Sequence, residues 1–235
     1  MTTPDPADAP RAPSKALWAA ELPRAAWTVA SWPRHRAALN AAPRGDGRAV
    51  MLLPGLFNSD RSTFVLRRFL TQLGYRAVGW GLGRNLGART VGVDGERIVA
   101  GVAALHAEAG PVTLIGVSLG GMLARLVAHR RPELVRQVVT ISSPFAGPGK
   151  ATNVWRAFEW VTGERLDDPA VMARAALIAG PLPVPSTAIW SRSDGLVAGA
   201  ICRDEVGAAI EVRSPHLGVQ VKPEVLLAVA RVLAG

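Results

Sequence analysis

Ser118 stands between two glycines in Gly116-Val117-Ser118-Leu119-Gly120, a Gly-x-Ser-x-Gly spacing. A serine hydroxyl becomes a nucleophile when a neighbouring base takes its proton, and the reaction open to it is acyl transfer through a covalent intermediate. A serine presented on a tight turn strains its backbone, so the residues around it must be small. The flanks fit such a turn. Val112-Thr113-Leu114-Ile115 is apolar and β-branched and reads as a buried strand. Gly121 to Arg130 has helical periodicity and stops before Pro132. A helix starting there points free N–H groups at the serine, where negative charge is stabilised.

Acyl transfer also needs a base and an acid to orient it. Only His129 and His216 follow Ser118. His129 falls in the last turn of the helix, beside Arg130 and Arg131, and reads as a helix-end group facing away from the serine. His216 lies in Arg213-Ser214-Pro215-His216-Leu217-Gly218, after the strand-like Ala209-Ile210-Glu211-Val212. From a loop at a strand's C-terminal end, a histidine can reach a serine on a neighbouring strand's end. Asp194 sits in the turn Arg192-Ser193-Asp194-Gly195 after the strand-like Thr187 to Ser191. An aspartate before glycine is ordinary turn chemistry, and an orienting acid belongs in just such a turn. Asp167 and Asp168 lie in a polar helix break, and Asp204 reads as surface. A developing oxyanion calls for two backbone donors. The residue after the nucleophile, Leu119, is one; Leu56, in the turn Pro54 to Asn58 after the strand Ala49 to Leu53, is the other. Ser59 and Asp60 read as the cap of a helix running to Leu73.

With Leu52-Leu53-Pro54-Gly55-Leu56, the Ser118 motif with Gly121, Arg131-Pro132-Glu133-Leu134-Val135, Ser142-Ser143-Pro144, Ser191 to Val197 and Pro215-His216-Leu217-Gly218, residues 48–235 resemble the α/β-hydrolase superfamily, in particular its small bacterial esterase- and lipase-like members. The resemblance implies an α/β fold with a mostly parallel sheet, helices on both faces and a small helical cap over about 145–185. It implies Ser118 as nucleophile, Asp194 as acid, His216 as base and the Leu56 and Leu119 amides as oxyanion hole. The activity implied is hydrolysis of a small-molecule carboxylic ester without a cofactor. Pro54 and Val117 stand where many members carry histidine, which leaves the subfamily open. An acyltransferase or thioesterase with the same triad, or a catalytically inactive binding protein of the same fold, are the alternatives, because fold does not fix substrate.

The elements that must position these groups fit one domain of 235 residues. A single cysteine, Cys202, excludes an intramolecular disulfide and suits a cytoplasmic protein. The net charge of +9 is carried mostly by arginines spread along the chain, which reads as a basic surface rather than a nucleic-acid site. Residues 1–14, rich in proline, alanine and aspartate, are expected to be disordered. Residues 15–47 form a helical extension carrying Trp18, Trp27 and Trp32. Glu21, Pro23 and Arg24 break its apolar runs, so it is neither signal peptide nor membrane span. Its tryptophans are expected to dock on the domain, in preference to a peripheral membrane contact. Gly149-Lys150 lacks the rest of a phosphate-binding loop, Gly81 to Gly87 has its third glycine displaced from a dinucleotide pattern, and no metal-ligand cluster is apparent.

Overall fold

Six short runs of branched and small residues become strands: β1 (Ala49–Leu53), β2 (Arg76–Gly79), β3 (Val112–Val117), β4 (Val135–Ile141), β5 (Ser186–Trp190) and β6 (Ala208–Glu211). They form one sheet in the order β2-β1-β3-β4-β5-β6, and every neighbouring pair is parallel. The computed structural model describes residues 10–203 and 206–235. Its helices are α1 (Lys15–Ala19), α2 (Glu21–Ala30), α3 (Trp32–Asn40), α4 (Phe64–Leu73), α5 (Ala88–Val91), α6 (Glu96–Ala109), α7 (Leu119–Arg130), α8 (Trp155–Thr162), α9 (Pro169–Ala179) and α10 (Pro223–Ala234).

A parallel sheet is covered on both faces, so its strands read as continuous apolar runs. β1 and β3 are buried along their whole length. Alternate residues of β1 serve two cores. Val50 and Leu52 pack with Leu66 and Leu70 of α4 and Leu226 and Val229 of α10. Met51 and Leu53 pack with Ile98 and Val102 of α6 and Ala124 and Val127 of α7. The chain leaves β1 for β2 on one side and returns to β3 on the other. The C-terminal ends of β1 and β3 therefore frame the crevice in which open parallel sheets bind their ligands.

One local expectation is corrected. Ser59 and Asp60 do not cap α4, which starts at Phe64 after Thr63. Asp60 instead accepts the N–H groups of Trp80 at 2.9 Å and Gly81 at 3.1 Å, because the turn leaving β2 offers it two unpaired donors. The glycine-rich loop 81–87 is also put to structural use. Asn85, fully buried, donates to the Pro54 carbonyl at 2.7 Å, and its backbone exchanges bonds with Asn58 and Phe57 at 2.8 Å. The loop thereby pins the 54–58 turn.

Residues 1–9 of the tail expected to be disordered lie outside the described residues. Pro13 and Ser14 are engaged: Ser14 caps α1 by accepting from Leu17 at 3.3 Å, and the Pro13 carbonyl accepts from Asn153 at 3.1 Å. The tryptophans differ from expectation. Trp32 packs on the first core and donates to the Val221 carbonyl at 3.0 Å, but Trp18 and Trp27 are 57% and 59% exposed. The rotation of α2 is set by polar residues instead: Glu21, Thr28 and Ser31 are buried. Among the described residues no helix is long and apolar enough to cross a membrane.

Between β4 and β5 the chain builds α8 and α9. Arg125, buried on α7, donates to the carbonyls of Ile178 and Gly180, each at 2.7 Å, and its guanidinium lies 3.8 Å from the centre of the Phe145 ring. A cation on the carbonyl end of α9 satisfies groups the helix leaves unpaired and fastens that helix to α7.

Candidate active site

β3 ends at Val117, and Ser118 turns the chain into α7 with φ 52° and ψ −121°. Its N–H donates to the Ile141 carbonyl at 2.8 Å, and its carbonyl accepts from Gly121 at 2.9 Å. The motif glycines are sterically required. A Cβ on Gly116 would run into the backbone of Gly120, and one on Gly120 into the Leu53 and Pro54 backbone. Among the described residues, the non-glycine positions with positive φ are Phe57, Ser118 and Ser142, just beyond the C-terminal ends of β1, β3 and β4. Backbone strain is concentrated along one edge of the sheet, where functional sites tend to store it.

The turn carrying Leu56 passes directly over Ser118: a Cβ on Gly55 would lie 3.4 Å from the serine Cβ. Among the described residues, neither the Leu56 nor the Leu119 N–H donates to a protein acceptor. Two free donors thus flank the serine. A cavity of about 440 Å³ opens beside Leu119 and runs between α7 and the helices α8 and α9. Met122, Leu126, Phe145, Phe158 and Ile178 give it apolar walls.

The loops after β5 and β6 bring Asp194 and His216 together. His216 Nδ1 lies 2.7 Å from Asp194 Oδ2, and the aspartate is 2% exposed. The other carboxylate oxygen accepts from Leu196 at 2.9 Å and Val197 at 2.8 Å, so the group is held at both ends. An ionised carboxylate only accepts, which puts the ring proton on Nδ1 and leaves Nε2 as a lone-pair base. Burial pushes the imidazole pKa down, but the Asp194 charge and hydrogen bond, with the charge of Glu21, outweigh it and hold His216 above its ordinary value. Ser191 stitches the two loops, donating to the Ser214 carbonyl at 2.9 Å and accepting the Ser214 N–H at 3.1 Å. Among the described residues, no hydrogen bond joins Ser118 Oγ to His216. Such bonds commonly close only around substrate.

The competing residues are otherwise engaged. Asp167 is exposed and paired with Arg165 at 2.9 Å. Asp168 caps α9, accepting from Ala170 at 2.8 Å. Asp204 lies outside the described residues. His129 lies in the last turn of α7, as expected; burial first, then the charge of Arg125, holds its pKa below the ordinary value, and its Nε2 is buried without a partner. Cys202 is buried, and burial, reinforced by the Asp194 charge, pushes its thiol pKa well up, so it is no nucleophile. Among the described residues no group of three or more His, Cys, Asp or Glu side chains is placed to hold a metal ion.

The sequence reading missed Glu21. Its buried carboxylate accepts three backbone bonds, from Gly195 at 2.8 Å, His216 at 3.0 Å and Leu217 at 2.8 Å. One turn further on, Arg24 grips Ser193, donating to its carbonyl at 2.5 Å and its hydroxyl at 2.8 Å. α2 therefore clamps the Asp194 loop and the His216 loop at once. In the sequence, the sole trace of this role is an acid interrupting an apolar stretch.

A family model described as the alpha/beta hydrolase fold matches residues 100–168, which include the elbow. Solved structures agree. The chain is similar to Aspergillus fumigatus lipase B, with TM-score 0.61 and 19% identity over 84% of this chain, and it spans 57% of that longer lipase. It is similar to a Bacillus licheniformis lipase in mature form, with TM-score 0.59 and 14% identity over 82% of this chain and 94% of that one. It is also similar to the thioesterase domain from the curacin biosynthetic pathway, with TM-score 0.51 and 14% identity over 82% of this chain and 93% of that one. No curated protein matches. The protein has the alpha/beta hydrolase fold, with the six-stranded parallel sheet and flanking helices described above.

Proposed function

We propose that the protein is a serine hydrolase that cleaves carboxylic esters through an acyl-enzyme. His216 Nε2 takes the proton of Ser118 as its oxygen attacks the ester carbonyl. The Leu56 and Leu119 N–H groups hold the oxyanion. The tetrahedral intermediate collapses, the alcohol departs with the proton from His216, and a water activated in the same way releases the acid. Asp194 keeps the ring in the tautomer this requires. The observation that carries the reading is the Asp194–His216 bond of 2.7 Å, on the sheet edge where Ser118 holds its positive-φ turn.

The apolar cavity beside Leu119 suits an acyl chain. Initial rates on p-nitrophenyl esters of increasing acyl length test the reading, with acyl thioesters assayed in parallel. Ester hydrolysis that peaks at a definite chain length is the expected result. Turnover of thioesters alone would reassign the protein to thioester chemistry, and no turnover of either, with no label from a fluorophosphonate, would leave a binding protein.

A further inference from the structure

α2 is built inside out. A helix on a globular domain ordinarily turns its apolar stripe inward and its polar residues to water. Here the buried face carries Glu21, Thr28 and Ser31. The exposed positions are Leu22, Pro23, Ala26, Trp27, Val29 and Ala30, without a polar side chain among them. Leu22 is 72% exposed, Trp27 59% and Val29 64%, and Trp18 of α1 adds a further ring at 57%. A contiguous exposed apolar face of this kind marks an interaction surface.

Charge identifies the partner. Between residues 10 and 45 the one carboxylate is Glu21, which is buried against the catalytic loops. The exposed cations Arg11, Lys15, Arg34 and Arg36 stand on the same segment, and the Arg34 guanidinium lies 5.4 Å from the centre of the Trp27 ring. Tryptophan and aliphatic side chains with cations beside them are what the interface of an anionic bilayer receives, and the nearest exposed carboxylates, Asp46 and Glu224, are paired with Arg48 and with His35 and Lys222.

We propose that the outward face of α1 and α2 docks the protein on an anionic lipid surface. The apolar side chains enter the interface and the cations meet the headgroups. Leu217, 37% exposed, is tied to the other side of α2 through its N–H bond to Glu21. Lipid binding is read without turnover, so this inference stands or falls apart from ester hydrolysis.

The test is co-sedimentation of the full chain with phosphatidylcholine vesicles, with and without phosphatidylglycerol, at low and high salt. Two variants accompany it: Leu22→Ser with Trp27→Ser and Val29→Ser, and Arg34→Glu with Arg36→Glu. The expected result is binding about tenfold or more tighter to the phosphatidylglycerol vesicles, weakened by salt. Each variant should lose about tenfold or more of that binding while keeping the wild-type melting temperature. Absence of binding to anionic vesicles, or equal binding by wild type and the charge-reversal variant, would overturn the proposal. So would light scattering that shows a dimer broken by the serine variant without vesicle binding; the face would then be an interface between copies of this chain.

Discussion

The two halves of the candidate site are held in different ways. The elbow half, formed by Ser118 and the 54–58 turn, is fixed by backbone geometry close in space: glycines with no room for a Cβ, a positive-φ serine bonded to the end of β4, and Asn85 pinning the turn. The Asp194–His216 half rests on side chains that arrive from far along the chain. Glu21 and Arg24 reach the Asp194 and His216 loops across 169 to 196 residues. The Ser118 turn is therefore a property of the sheet, whereas the alignment of Asp194 and His216 depends on the docking of α2.

Substitutions should separate the halves, and the largest effects belong to the chemistry itself. Ser118→Ala should reduce kcat by about 10⁶ with the fold intact by circular dichroism. Retained turnover in a preparation free of host esterases would remove Ser118 from the mechanism. Asp194→Asn should reduce kcat by about 10⁴ through loss of the tautomer, while Asp167→Asn and Asp168→Asn stay near wild type.

Glu21→Gln breaks the long-range clamp alone. One amide oxygen cannot replace two carboxylate oxygens facing three donors, so thermal unfolding should show a loss of about 2–4 kcal/mol. The kcat should fall about 10- to 100-fold with KM little changed. A pH profile distinguishes positioning from simple loosening. His216 must be neutral to act as base, and its pKa is raised, so kcat/KM should decline as pH falls through a value above the ordinary imidazole pKa of about 6.5. The charges bearing on His216 are Asp194 from the β5 loop and Glu21 from α2. Removing the Glu21 charge favours the neutral ring and should move that limb to lower pH. An unmoved limb would make Glu21 a purely structural residue. The smallest effect is expected from Trp18→Ala, which removes an exposed ring and should leave ester turnover unchanged.

What was legible in the sequence follows the same division. The Ser118 turn, the Asp194 turn and the His216 loop each carry their signal within a few residues, because strand, turn and helix chemistry is local. The fold class was implied by the family resemblance those segments carry, with the apolar runs that became β1 and β3 beside them. The edge strand β2, four residues long with no buried position, offered no period to detect. Glu21 and Asn85 act through partners that become neighbours only after folding, so no spacing announces them. α2 shows the risk in the reverse direction. Its apolar positions suggested burial, but the buried face was decided by donors on two distant loops that only a carboxylate could satisfy.

The most direct measurement is mass spectrometry of the protein treated with a fluorophosphonate, with labelling rates compared between wild type and His216→Ala. A single adduct on the peptide bearing Ser118, formed at least about 10³-fold more slowly in the His216 variant, is the expected result. An adduct on another residue, or labelling of Ser118 at the same rate without the histidine, would contradict the assignment of nucleophile and base.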